Sequence, residues 1–389
     1  MKRMPIVFVG AIAVTLVLAA SARRLTSQAA PKVAVPAYQV DAYWPKPLPN
    51  KWVVGSVAGV AVDSKDNVYM IHRPKSQAGA QNTPSVLKFD PAGNLVDSWG
   101  SRDTIPEWGT QEHGIYVDHQ DNVWVDFGGG LPFKPKDPAE QGPEWVRDGW
   151  YGNAHVLKLT AKGKVLLEIG KFGKTAGSNS KEYLGGPTDV VVDPKTNEAF
   201  ITDGYINRRV LVVDATTGAY KRHWGAYGKP PVDGPGVTLN PNGPPPDRFE
   251  TPHCIDLSKD GLLYVCDRQN QRFQIFKPDG TFVKEAFIRE VGPDGKNLPG
   301  GTVCDFSFSR DPKQRWLVVA DIDHHKINIV DRETLQVIGT FGQRGRWAGN
   351  FESPHSVAID SKGNLYVAET LDGRRLQKFL PKSGKATTD

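Results

Sequence analysis

The chain is 389 residues long, with 48 lysines and arginines against 43 acidic residues, and it has three cysteines. Its formal charge of +5 is small and dispersed, which argues against a nucleic-acid partner. Cys254, Cys266 and Cys304 are too few for a disulfide framework, so a chain of this length has to be held by a large apolar core.

Residues 1–22 begin with Lys2 and Arg3, continue as an apolar run over 6–20 and end on Ala20, Ser21 and Ala22. That layout is a cleaved secretory signal peptide, so the mature protein is expected to be exported, periplasmic or secreted. The run is short for a membrane span and precedes Arg23 and Arg24, so no stable span is expected after cleavage. Residues 23–35 read as a linker.

From 36 to 380 the chain repeats itself. Six segments join an apolar strand to a second one through a tight turn of Asp, Gly or Asn: GVAVDSKDNVYMI from Gly59, HGIYVDHQDNVWVDF from His113, TDVVVDPKTNEAFITD from Thr188, HCIDLSKDGLLYVCD from His253, CDFSFSRDPKQRWLVVAD from Cys304 and HSVAIDSKGNLYVAE from His355. Each predicts a β-hairpin whose second strand ends near an acid. A third strand follows in most units (VLKFD, HVLKLT, RVLVVD, RFQIFK, KINIVD, RLQKFL), and a fourth often closes on aromatic-Gly. Four strands repeated six times predict an all-β, six-bladed β-propeller. The last unit lacks a fourth strand and runs into the polar tail 381–389, so YQVDAYWP at 38–45 is expected to close its blade. Splitting the chain in two at the Pro/Gly-rich stretch 229–246 would leave three blades on each side with open edges.

Function has to come from residues that break the repeat. His113, His253 and His355 each start an innermost strand, in blades two, four and six, about a third of a turn apart. Three imidazoles with an open fourth position make the ligand set of a catalytic zinc site, although iron, copper and nickel also suit three histidines. One histidine at a strand start would be read as a cap; three in one register are read as a metal centre. The other six (His72, His119, His155, His223, His324, His325) fall outside that register and are read as surface or turn residues. Arg73 and Arg268 follow second strands at equivalent places, and Tyr205 lies at the corresponding turn of blade three. A phenol and two guanidiniums on the rim that carries the histidines point to a small anionic substrate. Asp203, Asn207 and Arg209 recur as Asp267, Asn270 and Arg272, which marks them as turn scaffolding.

These residues carry a family resemblance. GVAVDSKDNVYMIHR, HGIYVD, PTDVVVDP followed by DGYINRRV, FETPHCIDL followed by CDRQNQRFQIF, and FESPHSVAID followed by LYVAE resemble the NHL-repeat propeller of peptidyl-α-hydroxyglycine α-amidating lyase. The resemblance spans all but the signal peptide and the insertions. It implies zinc on His113, His253 and His355, Tyr205 as catalytic base, and Arg73 and Arg268 beside the tyrosine and the substrate carboxylate. The implied reaction cleaves the carbon–nitrogen bond of a peptidyl-α-hydroxyglycine, or of another α-hydroxyamide, giving an amide and glyoxylate. It also implies a structural calcium held partly by the carbonyls of Val60 and Ile115, but the family's aspartate ligand is Ser356 here, and a hydroxyl does not replace that charge. The family's disulfides find no match, since the cysteine expected beside the tyrosine is Ile206. Simple hairpin counting sets Cys254 opposite Val265, so the thiols are expected to be free.

Two departures from the repeat remain. Residues 128–155 interrupt blade two and 226–250 lengthen the way into blade four, both on the rim of the histidines, where they would act as a lid or as plain surface loops. Two other readings stand beside the lyase. One is a non-catalytic extracytoplasmic binding propeller. The other is a lactonase-like propeller, which would need an acidic calcium site that the strand starts do not show.

Overall fold

The computed structural model describes residues 35–128, 154–234, 240 and 242–382. The expected signal peptide, nearly all of the linker, most of the 128–155 insertion, part of the 226–250 connection and most of the tail lie outside these residues. Among those described, no helix is long and apolar enough to cross a membrane.

Six four-stranded antiparallel sheets follow one another as the blades of a propeller. Blade one comprises Ser56–Val62, Val68–Arg73, Val86–Phe89 and Leu95–Trp99, and blade two Ile115–Val117, Val123–Phe127, His155–Leu159 and Val165–Gly170. Blades three to five run from inner strands Pro187–Asp193, Pro252–Leu257 and Asp305–Phe308 to outer strands Tyr220–Trp224, Phe282–Phe287 and Val337–Phe341. Blade six holds Pro354–Ile359, Leu365–Glu369 and Arg375–Pro381, and its outer strand is Tyr38–Asp41, with Tyr38 opposite Pro381 and Val40 opposite Phe379.

The hairpin turns explain the recurrent Asp and Asn. Asp63 Oδ1 accepts the N–H groups of Lys65 and Asn67, Asp118 Oδ1 those of Gln120 and Asn122, and Asp360 Oδ1 those of Lys362 and Asn364. Each aspartate thus closes its own turn with its side chain. The apolar side chains gather into six clusters, one in each gap between neighbouring blades. The Asp/Asn/Arg sets prove to be scaffolding: Asp203 pairs with buried Arg209 at 2.9 Å, and Asp267 with buried Arg272 at 3.0 Å.

Four of the six inner strands share one irregularity. Pairing runs from Val57↔His72 to Gly59↔Ile71, from Pro187↔Asp203 to Asp189↔Thr202, from Pro252↔Asp267 to Cys254↔Cys266 and from Pro354↔Glu369 to Ser356↔Ala368. One residue is therefore extra in each of these four strands, namely Ala58, Thr188, His253 and His355. A β-bulge of this kind bends the strand and re-aims the side chain. It also corrects the cysteine expectation. The extra residue moves the register by one, so Cys254 faces Cys266 rather than Val265, and the two form a disulfide, leaving Cys304 as a free, buried thiol.

Two histidines assigned to the surface are instead fully buried. His72 occupies the place of Asp267 in blade one, with Nδ1 accepting the Gly55 N–H and Nε2 donating to the Pro84 carbonyl. His155 stacks on Phe127 and donates through Nε2 to Glu107 O. Each fills a slot next to a carbonyl that needs a donor, which hydrophobic patterning does not reveal.

Candidate metal centre

The bulges of blades four and six, and the matching strand start of blade two, bring His253, His355 and His113 to the middle of the ring. Their ring centroids stand 4.9, 5.0 and 5.0 Å apart, and their candidate ligand atoms all lie within 4.8 Å of one another. The Nδ1 partners fix the tautomers. His253 Nδ1 donates to Cys304 O at 2.7 Å and His355 Nδ1 to Ala58 O at 2.6 Å, while His113 Nδ1 donates to Asp126 Oδ1 at 3.0 Å. A carbonyl or carboxylate can only accept, so each Nδ1 carries the proton and each Nε2 presents a lone pair.

Those lone pairs converge. The Nε2 atoms of His113 and His253 are 3.2 Å apart, close to the edge of about 3.3 Å that bonds of 2.0–2.1 Å subtend in a tetrahedral zinc site. Burial holds all three imidazoles well below the usual histidine range, with the charge of Arg268 pushing each the same way and that of Arg73 pushing His113 and His355, so they are neutral candidate ligands. Three buried lone pairs turned on one point repel unless a cation lies between them, so the donor set fits a divalent metal.

Tyr205 reaches over this centre, its hydroxyl 2.9 Å from His113 Nε2 and 3.2 Å from His253 Nε2. Its backbone is pinned because the N–H groups of Gly204 and Tyr205 both donate to Gly186 O at 3.1 Å. Gly186 sits at φ +89°, where a Cβ would come 2.8 Å from the tyrosine's own, so the turn requires glycine there. The Arg268 guanidinium carbon stands 5.6 Å from the centre of the Tyr205 ring, and the guanidinium N–H groups donate to the Tyr205 hydroxyl and the Cys304 sulfur. Arg73 Nε donates to Glu112 O at 2.7 Å. Neither arginine forms a salt bridge among the described residues. A cavity of about 300 Å³ opens onto Arg73, Tyr205, Arg268, Asp323, His355 and Thr370. Of the six residues expected at the site, Arg73, Tyr205, Arg268 and His355 line this cavity, and His113 and His253 lie within hydrogen-bond distance of the Tyr205 hydroxyl.

Below the histidines a cavity of about 590 Å³ follows the inner strands toward the hairpin turns, past Val60, Ile115, Asp189, Asp305 and Ser356. Of the calcium ligand set implied by resemblance, Val60 and Ile115 line this cavity, whereas Ser356 supplies a hydroxyl in place of the carboxylate. Ser356 Oγ accepts the Val60 N–H at 3.2 Å, while Asp189 Oδ2 and Asp305 Oδ2 accept those of Ile255 and Val357 at 2.9 and 2.8 Å. These side chains lace neighbouring blades. Burial and their mutual repulsion hold Asp189 well above the carboxylate range, and burial pushes Asp305 up to about 7.

One site residue escapes the repeat reading altogether. Asp126 is buried against His113, and burial pushes its carboxyl up to about 7, opposed by the Gly114 N–H and Arg73.

The ring of blades and the converging histidines define a six-bladed β-propeller with a candidate metal site in its pore. The NHL repeat family model matches residues 249–276, the approach to blade four and its first three strands. The chain is 27% identical over 350 residues to peptidyl-glycine alpha-amidating monooxygenase A of Xenopus laevis, an alignment covering 84% of this chain and 32% of that protein. It thus spans about a third of the length of that relative. It is 22% identical to a probable peptidyl-alpha-hydroxyglycine alpha-amidating lyase of Caenorhabditis elegans, covering 83% and 82% of the two chains. It is also 25% identical to NHL repeat-containing protein 3 of Mus musculus, covering 89% and 85%. The chain is similar to amidating lyases.

Proposed function

We propose that this protein is an exported zinc-dependent lyase that cleaves α-hydroxyglycine-type amides, small anionic or peptide-like, into an amide and glyoxylate. The observation that carries the reading is the Tyr205 hydroxyl, 2.9 and 3.2 Å from two converging histidine nitrogens and beside two arginines that form no salt bridge among the described residues. His113, His253 and His355 would hold the metal, which supplies Lewis acidity when bound. Tyr205 takes the proton of the substrate hydroxyl. The electrons of that O–H bond form the carbonyl of glyoxylate as the carbon–nitrogen bond breaks, and the departing amide nitrogen takes up a proton. Arg73 binds the substrate carboxylate, and Arg268 holds positive charge against the phenol.

The test is release of glyoxylate from an N-acyl-α-hydroxyglycine by protein purified without a metal-binding tag, with elemental analysis alongside. About one zinc per chain is expected. Tyr205→Phe should lower turnover by about 100-fold or more while metal content and thermal unfolding stay as in the wild type, because only the proton acceptor is lost. Full activity of Tyr205→Phe would sink the mechanism. A second reading, a binding propeller without catalysis, draws on the similarity to NHL repeat-containing protein 3. It predicts a metal-loaded wild type inactive on every α-hydroxyglycine.

A further inference from the structure

The three ligand histidines are not held alike. By the repeat, each Nδ1 should meet the carbonyl of the equivalent residue in the next blade, as His253 meets Cys304 O and His355 meets Ala58 O. His113 keeps its counterpart, the Thr188 carbonyl, and has in addition the Asp126 carboxylate at 3.0 Å. The place of Asp126 is filled by Ile71, Thr202, Cys266, Ala320 and Ala368 in the other five blades, so no structural demand of the repeat calls for a charge there.

The surroundings have been cut to admit that charge. Asp126 is fully buried, and its Oδ1 also accepts the Gly114 N–H at 3.0 Å. Gly114 stands where blades three to six carry Asp189, Cys254, Asp305 and Ser356. A Cβ at Gly114 would lie 2.0 Å from Asp126 Oδ2, so a larger residue there would push the carboxylate out of its present place. A buried carboxylate with no compensating cation is costly, whereas one hydrogen-bonded to a metal-bound imidazole has its counter-charge through the ring.

We propose that Asp126 is a positioning residue of the metal centre, which orients His113 and places one buried negative charge behind it, making His113 the most strongly donating of the three ligands. The proposal rests on the metal centre described above. The Asp126 carboxylate binds no substrate and stays outside the 300 Å³ cavity lined by Arg73 and Tyr205. Its effect passes entirely through the imidazole.

Asp126→Asn isolates the charge, since the amide oxygen still accepts from Nδ1 and the Thr188 carbonyl remains. Asp126→Thr, which installs the residue that blade three carries, serves as the second variant if the amide disturbs folding. Affinities for zinc and cobalt(II) should be measured by chelator competition at pH 8, together with the visible spectrum of the cobalt(II) protein. Both variants should fold as the wild type does, bind zinc about 10- to 100-fold more weakly and show shifted cobalt ligand-field bands. Wild-type affinity with an unshifted spectrum in both variants would overturn the proposal while leaving the metal centre intact. A wild type that binds neither ion would remove the centre itself, and the role of Asp126 with it.

Discussion

At the scale of single residues, the repeat separates chemistry from scaffolding. Arg268 and Arg272 are four positions apart in blade four and differ in every contact. Arg272 is fully buried, pairs with Asp267 at 3.0 Å and donates to Pro246 O and Arg248 O, so it staples the connection into its blade. Arg73 and Arg268 face the cavity beside Tyr205. Arg272→Ala should therefore cost about 3–5 kcal/mol of stability, because it leaves the Asp267 carboxylate buried without its partner, and should leave KM for the α-hydroxyglycine substrate unchanged. Arg73→Ala should do the reverse, raising KM about 10-fold or more with little change in urea midpoint. Exchange of those two outcomes would mean that the arginine roles are assigned the wrong way round. The histidine trio was legible because register alone finds it. Asp126 was not, although it lies in plain view in the string WVDF. Its acid looked like the one that ends each second strand, yet in blades three and four that residue is Asp203 or Asp267, one place further on. A shift of one residue turns a strand side chain to the other face, and here it turns a turn-closing acid into a partner of His113.

At the scale of the element, the bulge is what the site depends on. It sets His253 and His355 toward the centre of the ring and, by the same one-residue slip, sets Cys254 against Cys266. Period-two counting places the strand and its faces correctly but cannot show an extra residue, so the histidine cluster was predictable and the disulfide was not. The bridge closes a sequence separation of 12, worth about 3 kcal/mol in the chain-entropy account of cross-links. Its two strands are already paired by the hairpin, so the doubly substituted Cys254→Ala, Cys266→Ala protein should lose about 2–3 kcal/mol in urea unfolding. It should keep its metal, since the bulge, with the His253 Nδ1 bond to Cys304 O, positions the ligand without the bridge. Loss of zinc from the double variant would show that the disulfide, not the bulge, holds His253 in place.

At the scale of the whole molecule, a propeller is held by the closure of its ring. The five blades from one to five are each made of consecutive strands, whereas blade six takes its outer strand from Tyr38–Asp41. Tyr38 and Val40 pack with Phe341, Phe351 and Phe379 in the gap between blades five and six, and Trp44, just beyond the strand, packs with Phe89 and Tyr366 in the gap between six and one. The segment therefore bridges both sides of the join. A protein beginning at Val35 keeps every one of these contacts and should unfold at the wild-type temperature. One beginning at Pro45 loses the strand and Trp44 and leaves the edge of Arg375–Pro381 unpaired. Partial burial of Tyr38 and Val40 with near-complete burial of Trp44 is worth several kcal/mol at about 25 cal/mol per Å² of apolar surface, so its melting temperature should fall by about 5 °C or more. The bare edge should also promote self-association, visible in sedimentation as species larger than the monomer-length control. His355 lies in the inner strand of the same blade, so zinc affinity should fall with stability. Equal melting temperatures for the two truncations would show that the inner three strands of blade six close the ring unaided.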